Sequence, residues 1–214
     1  MERPAEIYRL ARRPDPWAPL DWAWAEADGT FGNRYDDPES RYRVLYASSQ
    51  RLGCFLETLA RFRPDPTLLS ELNQIAGEND FFPLGRVPAQ WFAERLLGAA
   101  GFWGNYADVC ASEWISRLRI KFGPRLLAEF GITDVDQSIL QASSPRKLTQ
   151  FVSRFIYNAG FDGIRYPSKH GHDIENWALF EPFKIEVKRS NPIVLDDPDL
   201  NSALKLLTIE IGGD

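Results

Sequence analysis

The segment from residue 145 to residue 159 constrains the fold more than any other, because its apolar side chains repeat with the period of a helix. Ser144 is the expected N-cap, Pro145 the first helical residue, and Gly160 the C-cap. The apolar stripe consists of Leu148, Phe151, Val152, Phe155, Ile156 and Ala159. A helix with one such stripe must bury it against another element of the same domain.

Strand-like segments rich in β-branched and aromatic residues offer a surface for that helix. One follows the turn at Asp162–Gly163 and ends at Pro167. The others cover residues 5–11, 42–47, 176–181 and 183–190, with a last strand in "LTIEI" near the end of the chain.

Four further helices are expected between and after these strands. They cover residues 50–62, 66–76, 107–129 and 197–206. Ser48 or Ser49 can cap the first of them, and Pro64 lies beyond its end. The third has a break at Gly123–Pro124. "FFPLGRVPAQWFAERLLG" predicts a loop followed by a strand. Helices and strands intermix without a repeat or a long linker, which predicts one mixed α+β domain over residues 1–214.

Composition limits the classes of function. The 214 residues include 25 Lys and Arg against 30 Asp and Glu, so a net charge of −5 opposes a general attraction to nucleic acid or anionic lipid. Cys54 and Cys110 are too few for a disulfide framework and indicate reduced thiols. The N-terminus has no apolar signal-peptide core and no run is long enough to span a membrane. We therefore expect a cytoplasmic protein.

"GNRYDDP" at residues 32–38 places Arg34 in a turn before a strand. Arginine offers a planar set of donors suited to phosphate or carboxylate, so an anion-binding role at a cleft is one interpretation. The other is a surface ion pair with Asp36, Asp37 or Glu39.

Three more side chains have a functional and a structural interpretation. Glu57 lies off the apolar stripe of its helix, on the side of Gly53 and Cys54, either in solvent or lining a cleft that small residues leave open. Tyr46 is a core residue or a ring that stacks on a heterocycle. Ser168 is a turn residue or a hydroxyl directed into a pocket.

His170, His172 and Asp173 in "KHGHD" suggest a metal site, but the only two histidines of the chain lack a partner set with metal spacing. A glycine-containing turn is the better interpretation. The same scarcity opposes a Ser-His-Asp triad, and no phosphate-binding or dinucleotide-binding glycine motif is present. We therefore expect no metal.

In order along the chain, these residues form a recognisable pattern. "NRYDDP" is followed by "VLYASSQRLGCFLE", with Glu57 eleven residues after Tyr46, and then by "AGFDGIRYPS" and "NWALF". The pattern resembles the RES domain family, the toxins of RES–Xre toxin–antitoxin modules, over roughly residues 5–190. Asp36 stands where Asn is common in that family. The bulk of the 64–110 segment suggests an insertion or a cap.

The resemblance implies a fold similar to ADP-ribosyltransferases of the diphtheria-toxin type, with a split mixed β-core around a cleft for NAD+. It also implies that NAD+ is degraded as a substrate, by hydrolysis or phosphorolysis, without a further cofactor. The expected partner is an Xre-like antitoxin that blocks the cleft; homo-oligomers are left open, and neither nucleic acid nor a membrane is an expected partner.

The resemblance also implies roles for individual residues. Glu57 would stabilise positive charge on the ribose, Arg34 would bind the pyrophosphate or the nicotinamide ribose, and Ser168 would position the ribose or the attacking group. Tyr46 and Tyr35 would stack on nicotinamide, and Asn176 would support Ser168. Two other functions stay open: protein ADP-ribosylation, and nucleotide binding without turnover.

Overall fold

The structure is a computed structural model that describes residues 4–65, 67, 70, 85–142 and 145–212. These residues form nine strands and six α-helices. The strands are β1 (Ile7–Arg12), β2 (Val44–Ser48), β3 (Gly85–Pro88), β4 (Arg95–Phe102), β5 (Tyr106–Asp108), β6 (Gly163–Ser168), β7 (Gly171–Phe180), β8 (Ile185–Pro192) and β9 (Ile209–Gly212). The helices are α1 (Arg51–Leu59), α2 (Ala89–Ala93), α3 (Ser112–Phe130), α4 (Gln137–Gln141), α5 (Arg146–Asn158) and α6 (Pro198–Leu207).

Seven of the described strands form one sheet in the order β5-β6-β7-β2-β1-β4-β8. Strands β5 and β6 are parallel, and the other neighbours are antiparallel. A separate parallel pair joins β3 to β9. The large mixed sheet with flanking helices confirms the predicted α+β class. Strand β4, inside the segment interpreted as an insertion or a cap, lies between β1 and β8 and is therefore part of the main sheet.

The alternation of side chains along the strands separates the two faces of the sheet. Leu45 and Ala47 of β2 pack with Trp177 in an apolar cluster on one face. On the opposite face, one cluster forms around α3 and α5 and another around α1 and α6. Polar side chains of the central strands lie between these two clusters.

The sheet is nearly divided between β1 and β2. Those two strands share a single described residue pair, Tyr8 with Ser48, whereas β2 and β7 share five consecutive pairs. Past that point the Arg9 guanidinium spans the gap and donates from Nη1 to the Tyr46 carbonyl at 2.8 Å and from Nε to the Pro16 carbonyl at 2.7 Å. Residues of both strands, Arg9 and Leu10 of β1 and Tyr46 and Ser48 of β2, line a cleft at this division.

Several helix boundaries differ from the expectation. Helix α1 has Gln50 at its N-cap, without a side-chain cap, because the hydroxyls of Ser48 and Ser49 bond to Glu175 instead. Pro145 is the N-cap of α5 with extended ψ of 132°, so Arg146 is the first helical residue. Gly160 follows α5 with φ of 82°, which confirms the predicted stop.

Helix α3 is continuous where the sequence predicted a break. Pro124 is exposed on its outer face, while Phe122 and Leu126 on either side are buried in the same cluster. This burial holds both halves of the helix in line despite the hydrogen bond that proline cannot make. The helix also begins later than predicted, because residues 106–108 form β5.

The segment "FFPLGRVPAQWFAERLLG" contains more regular structure than predicted. The sequence predicts a loop and then a strand, whereas the described residues form strand β3 and helix α2 before β4 begins. Ser144 and most of the helix predicted at 66–76 lie outside the described residues. None of the helices in the described part of the chain is long and apolar enough to cross a membrane.

We predict that Gly53→Ala destabilises the protein, because the absence of a side chain lets α1 lie directly on the sheet. An added Cβ would overlap the Ser48 hydroxyl and lie 2.8 Å from Cγ2 of Ile174, which is buried. Overpacking of this kind costs about 1–3 kcal/mol. Chemical denaturation should show that loss.

Gly123→Ala is the matched control, since it adds the same methyl group to a helix with no atom within 4 Å. It should raise the free energy of unfolding by about 0.5–1 kcal/mol through helix propensity. Equal destabilisation by both changes would contradict the packing account.

Candidate active site

Three polar side chains from separate segments meet on the sheet face between the two helical clusters. Oε1 of Glu57 accepts hydrogen bonds from Oγ of Ser168 at 2.6 Å and from Nδ2 of Asn176 at 2.8 Å. Ser168 and Asn176 are buried, whereas the Glu57 side chain keeps 36% of its surface exposed. The carboxylate is therefore fixed through one oxygen while its side chain lines an open cleft.

Strand periodicity explains how the partners of Glu57 come together. Tyr166 and Ser168 are two residues apart on β6 and share a face. Asn176 on β7 is the partner of Tyr166 on one side and of Ser48 on the other. Glu57 lies on the side of α1 that bears Gly53, as the sequence predicted, and that side faces the sheet. This arrangement does not fit the interpretation of Glu57 as a glutamate that lies in solvent.

Gly53 has a different role from the one expected. Its neighbours are Ser48 and Ile174 of the sheet, so its small size brings α1 close to the strands and does not admit a ligand. The thiol of Cys54 donates to the Tyr8 carbonyl at 2.9 Å, and burial raises its pKa to about 12. Cys54 is therefore a neutral residue of the wall.

Arg34 lies in the same cleft, beside the end of β6. Its Nη2 donates to the Gln141 carbonyl at 3.0 Å, and its guanidinium carbon lies 5.6 Å from the centre of the Tyr166 ring. No carboxylate among the described residues lies within ion-pair distance of it. Its positive charge is thus available to an anion in the cleft.

The acidic neighbours proposed as ion-pair partners of Arg34 are engaged elsewhere. Asp37 accepts from Nε of Arg154 at 2.7 Å, in a buried pair. Glu39 pairs with Arg41 at 2.6 Å. The surface ion-pair interpretation of Arg34 is therefore wrong.

Asp36 fixes the turn that carries Arg34. Its Oδ2 accepts from the backbone N–H groups of Phe31 at 2.9 Å and Asn33 at 2.8 Å, and its Oδ1 accepts from the Tyr46 hydroxyl at 3.0 Å. That hydroxyl accepts in turn from the Tyr35 N–H at 2.9 Å. Burial raises the pKa of Asp36, against the opposing effect of these hydrogen bonds.

The three tyrosines near Arg34 have different positions. Tyr46 lines the cleft and is tied to the Arg34 turn through its hydroxyl. Tyr35 is fully buried in the core, in edge contact with Tyr166 at 4.9 Å, so the geometry does not support its stacking on nicotinamide. Tyr166 lines the cleft, and sequence reasoning missed it. The signal was its spacing of two from Ser168 on one strand.

His170 is a second residue that sequence reasoning left out of the site. It lies in the turn between β6 and β7, where its backbone N–H donates to Oγ of Ser168 at 2.9 Å. Its Nε2 is buried without a hydrogen-bond partner, 3.9 Å from Oε2 of Glu57. Burial lowers its pKa, with Glu57 acting in the opposite direction.

The metal alternative placed His172 and Asp173 beside His170. Both are exposed at the start of β7, whereas the side chain of His170 is buried. In the part of the chain that the structure describes, no group of three or more His, Cys, Asp or Glu side chains is placed to hold a metal ion.

The cleft has a volume of about 580 Å³, within the range of small-molecule sites. Glu57 is the one acidic residue among its described lining residues. Six cationic lining residues have no carboxylate within ion-pair distance among the described residues: Arg9, Arg34, Arg61, Arg63, Arg146 and Lys169. A chain with net negative charge thus forms a locally positive cleft around one fixed carboxylate.

We predict that Asp36→Ala destabilises the protein by about 2–4 kcal/mol, since each buried donor left without an acceptor costs about 1–3 kcal/mol and water replaces part of the loss. Asp28→Ala is the control, because Asp28 accepts from the N–H and hydroxyl of Thr30 in a similar turn but is exposed. Its loss should stay below about 1 kcal/mol in the same denaturation assay. Similar losses for both would contradict the burial argument.

Comparison with known proteins bears on the family and the fold of this chain. The family model described as the RES domain matches residues 6–199. A chain from the crystal structure of the M. tuberculosis MbcT–MbcA toxin–antitoxin complex has a similar fold, with a TM-score of 0.52 and 11% sequence identity over 94% of this chain and 87% of that one. A search of curated proteins finds no match. With the family model matched over most of its length, the chain belongs to the RES domain family.

Proposed function

We propose that this chain is an NAD+-degrading, toxin-like enzyme that cleaves the nicotinamide–ribose bond by hydrolysis or phosphorolysis. The observation that carries the proposal is the Glu57 carboxylate, which two buried donors fix at 2.6 and 2.8 Å inside a cleft whose other charged lining residues are Arg and Lys. That combination suits a substrate with negative phosphates and a reaction centre that becomes positive.

Cleavage of the bond sends its electron pair to the nicotinamide nitrogen, so nicotinamide leaves as a neutral molecule. The ribose C1′ and ring oxygen then share positive charge. A fixed carboxylate stabilises that charge without having to reorganise. A water oxygen, which then releases a proton, or a phosphate oxygen completes the reaction by bonding to C1′. Glu57 has the negative charge that this stabilisation needs, and its two hydrogen bonds hold it in place.

The other site residues act on Glu57 or on the substrate. Ser168 and Asn176 hold the carboxylate, and Ser168 is itself oriented by the His170 N–H. Arg34 would bind the pyrophosphate or the nicotinamide ribose, where a bidentate guanidinium is effective. The Tyr46 ring would contact nicotinamide at the wall of the cleft. Positioning and electrostatics would supply the catalysis without a bound cofactor.

The fold relative comes from a toxin–antitoxin complex, which supports an antitoxin partner for this chain as well. We propose a cytoplasmic toxin whose Xre-like antitoxin, a separate DNA-binding protein, covers the cleft. A partner of this kind would block entry of NAD+ to Glu57.

The test compares NAD+ consumption by the wild type, Glu57→Gln and the control Glu113→Gln, with products separated by chromatography. The amide in Glu57→Gln would keep an oxygen for Ser168 and Asn176 but would lose the charge. We expect a fall in kcat of about 100- to 1,000-fold, typical of removing one electrostatic contact to a transition state. Glu113 is an exposed residue of α3, so its variant should match the wild type.

Added phosphate separates the two reactions, because phosphorolysis yields ADP-ribose 1″-phosphate and hydrolysis yields ADP-ribose. Label transferred from NAD+ to protein would favour ADP-ribosylation instead. Intact NAD+ in every condition, or full activity of Glu57→Gln, would contradict the proposal.

A further inference from the structure

The cleft continues beyond Glu57 to a second, apolar end. Asn176 pairs with Ser48 at one end of β2, and Phe180 pairs with Val44 at the other. Four residue steps along a strand span about 13 Å. Val44, Tyr46 and Ser48 all line the cleft, so it follows β2 over that distance. A ligand bound at Glu57 can therefore extend well beyond a single ribose.

Two apolar side chains of the cleft, Leu20 and Phe31, lie towards the Val44 end. The Leu20 carbonyl accepts from Nη1 of Arg43, the residue before Val44, at 3.4 Å, and the Arg43 guanidinium carbon lies 6.0 Å from the ring of Trp22, the neighbour of Phe31. Phe31 stacks on Trp22 with ring centres 5.4 Å apart and an interplanar angle of 26°. Leu20 is 51% exposed although it is a large apolar residue. An exposed apolar surface on a cleft whose charged residues are mostly cations suits a flat, uncharged ring.

Cationic side chains line the same cleft as these two ends. Arg34 and Arg146 are among them, and neither has a described carboxylate partner. The Asp36 carboxylate also bonds to the N–H of Phe31, in the turn that carries Arg34. One buried group therefore holds both the backbone of Phe31 and the turn that carries Arg34.

We infer that Phe31 and Leu20 form the subsite for the adenine ring, with Phe31 as the stacking surface and Trp22 as its support. The inference rests on the proposed function, because it takes the nicotinamide end to be at Glu57. An adenine at Phe31 and a nicotinamide ribose at Glu57 leave the pyrophosphate inside the cleft that the cationic side chains line. Phe31 would then set the preference for a dinucleotide over a mononucleotide.

The test uses NAD+ and nicotinamide mononucleotide, which has the same scissile bond and one phosphate but no adenosine. Phe31→Leu keeps the apolar volume and removes the ring. It should raise KM for NAD+ by about 10- to 100-fold, the usual effect of a lost base–aromatic stack, and leave KM for the mononucleotide within about twofold. Phe31→Tyr should restore the KM for NAD+.

The matched control is Phe161→Leu, which alters a partly buried ring in edge contact with Trp114 at 5.3 Å, away from the cleft lining. It should leave the ratio of the two KM values unchanged. An equal loss on both substrates in Phe31→Leu would overturn the adenine assignment and make Phe31 a support of the Arg34 turn.

A binding measurement separates this inference from the proposed function. AMP should quench the fluorescence of Trp22 in the wild type and in Glu57→Gln, and Trp22→Phe should remove that signal. If the wild type cleaves neither substrate, or cleaves NAD+ alone, the AMP titration decides whether the adenine subsite exists. Quenching by AMP that is lost in Phe31→Leu supports the subsite. Absence of AMP binding to the wild type, or equal binding to Phe31→Leu, overturns it.

Discussion

The buried carboxylate of Asp36 is the group on which the geometry of the cleft depends. It joins the turn of residues 31–36 to Tyr46 on the central strand β2 through three hydrogen bonds of 2.8 to 3.0 Å. The N–H of Tyr35 donates to the same tyrosine hydroxyl, so the turn that carries Arg34 is held to the sheet at two adjacent points. The preference of the family for Asn at this position is compatible with the contacts, since an amide oxygen also accepts from backbone N–H groups. A carboxylate adds a stronger acceptor for the tyrosine hydroxyl.

Local periodicity was sufficient for much of the fold. The apolar stripe of α5 was readable because the helix buries one face against its neighbours, and burial leaves its period in the sequence. The strands β6 and β7 were readable from their β-branched and aromatic residues. The same periods placed Glu57 off the apolar stripe of α1. Its hydrogen bonds to Ser168 and Asn176 were beyond such reasoning, because they depend on how distant segments pair.

The sequence misled where tertiary contacts outweighed a local preference. Pro124 predicts a helix break, but the burial of Phe122 and Leu126 outweighs one lost hydrogen bond. Tyr35 and Tyr46 are both tyrosines close to Arg34, and only the tertiary structure shows that Tyr35 enters the core while Tyr46 lines the cleft. His170 was assigned to a turn, and it lies in one, yet the hairpin directs it towards Glu57.

The sheet is nearly divided, and residues that contact each other across it are far apart in the sequence. This has a consequence for synthesis of the chain. Glu57 is hydrogen-bonded to Ser168 and Asn176, which lie 111 and 119 positions further along the sequence. Strand β2 gains its partner β7 only when residue 180 has been made. Contacts of such high sequence separation form late in folding. A growing chain on the ribosome therefore carries the carboxylate long before the surface that fixes it, so the site remains unassembled until Ser168 and Asn176 have been made.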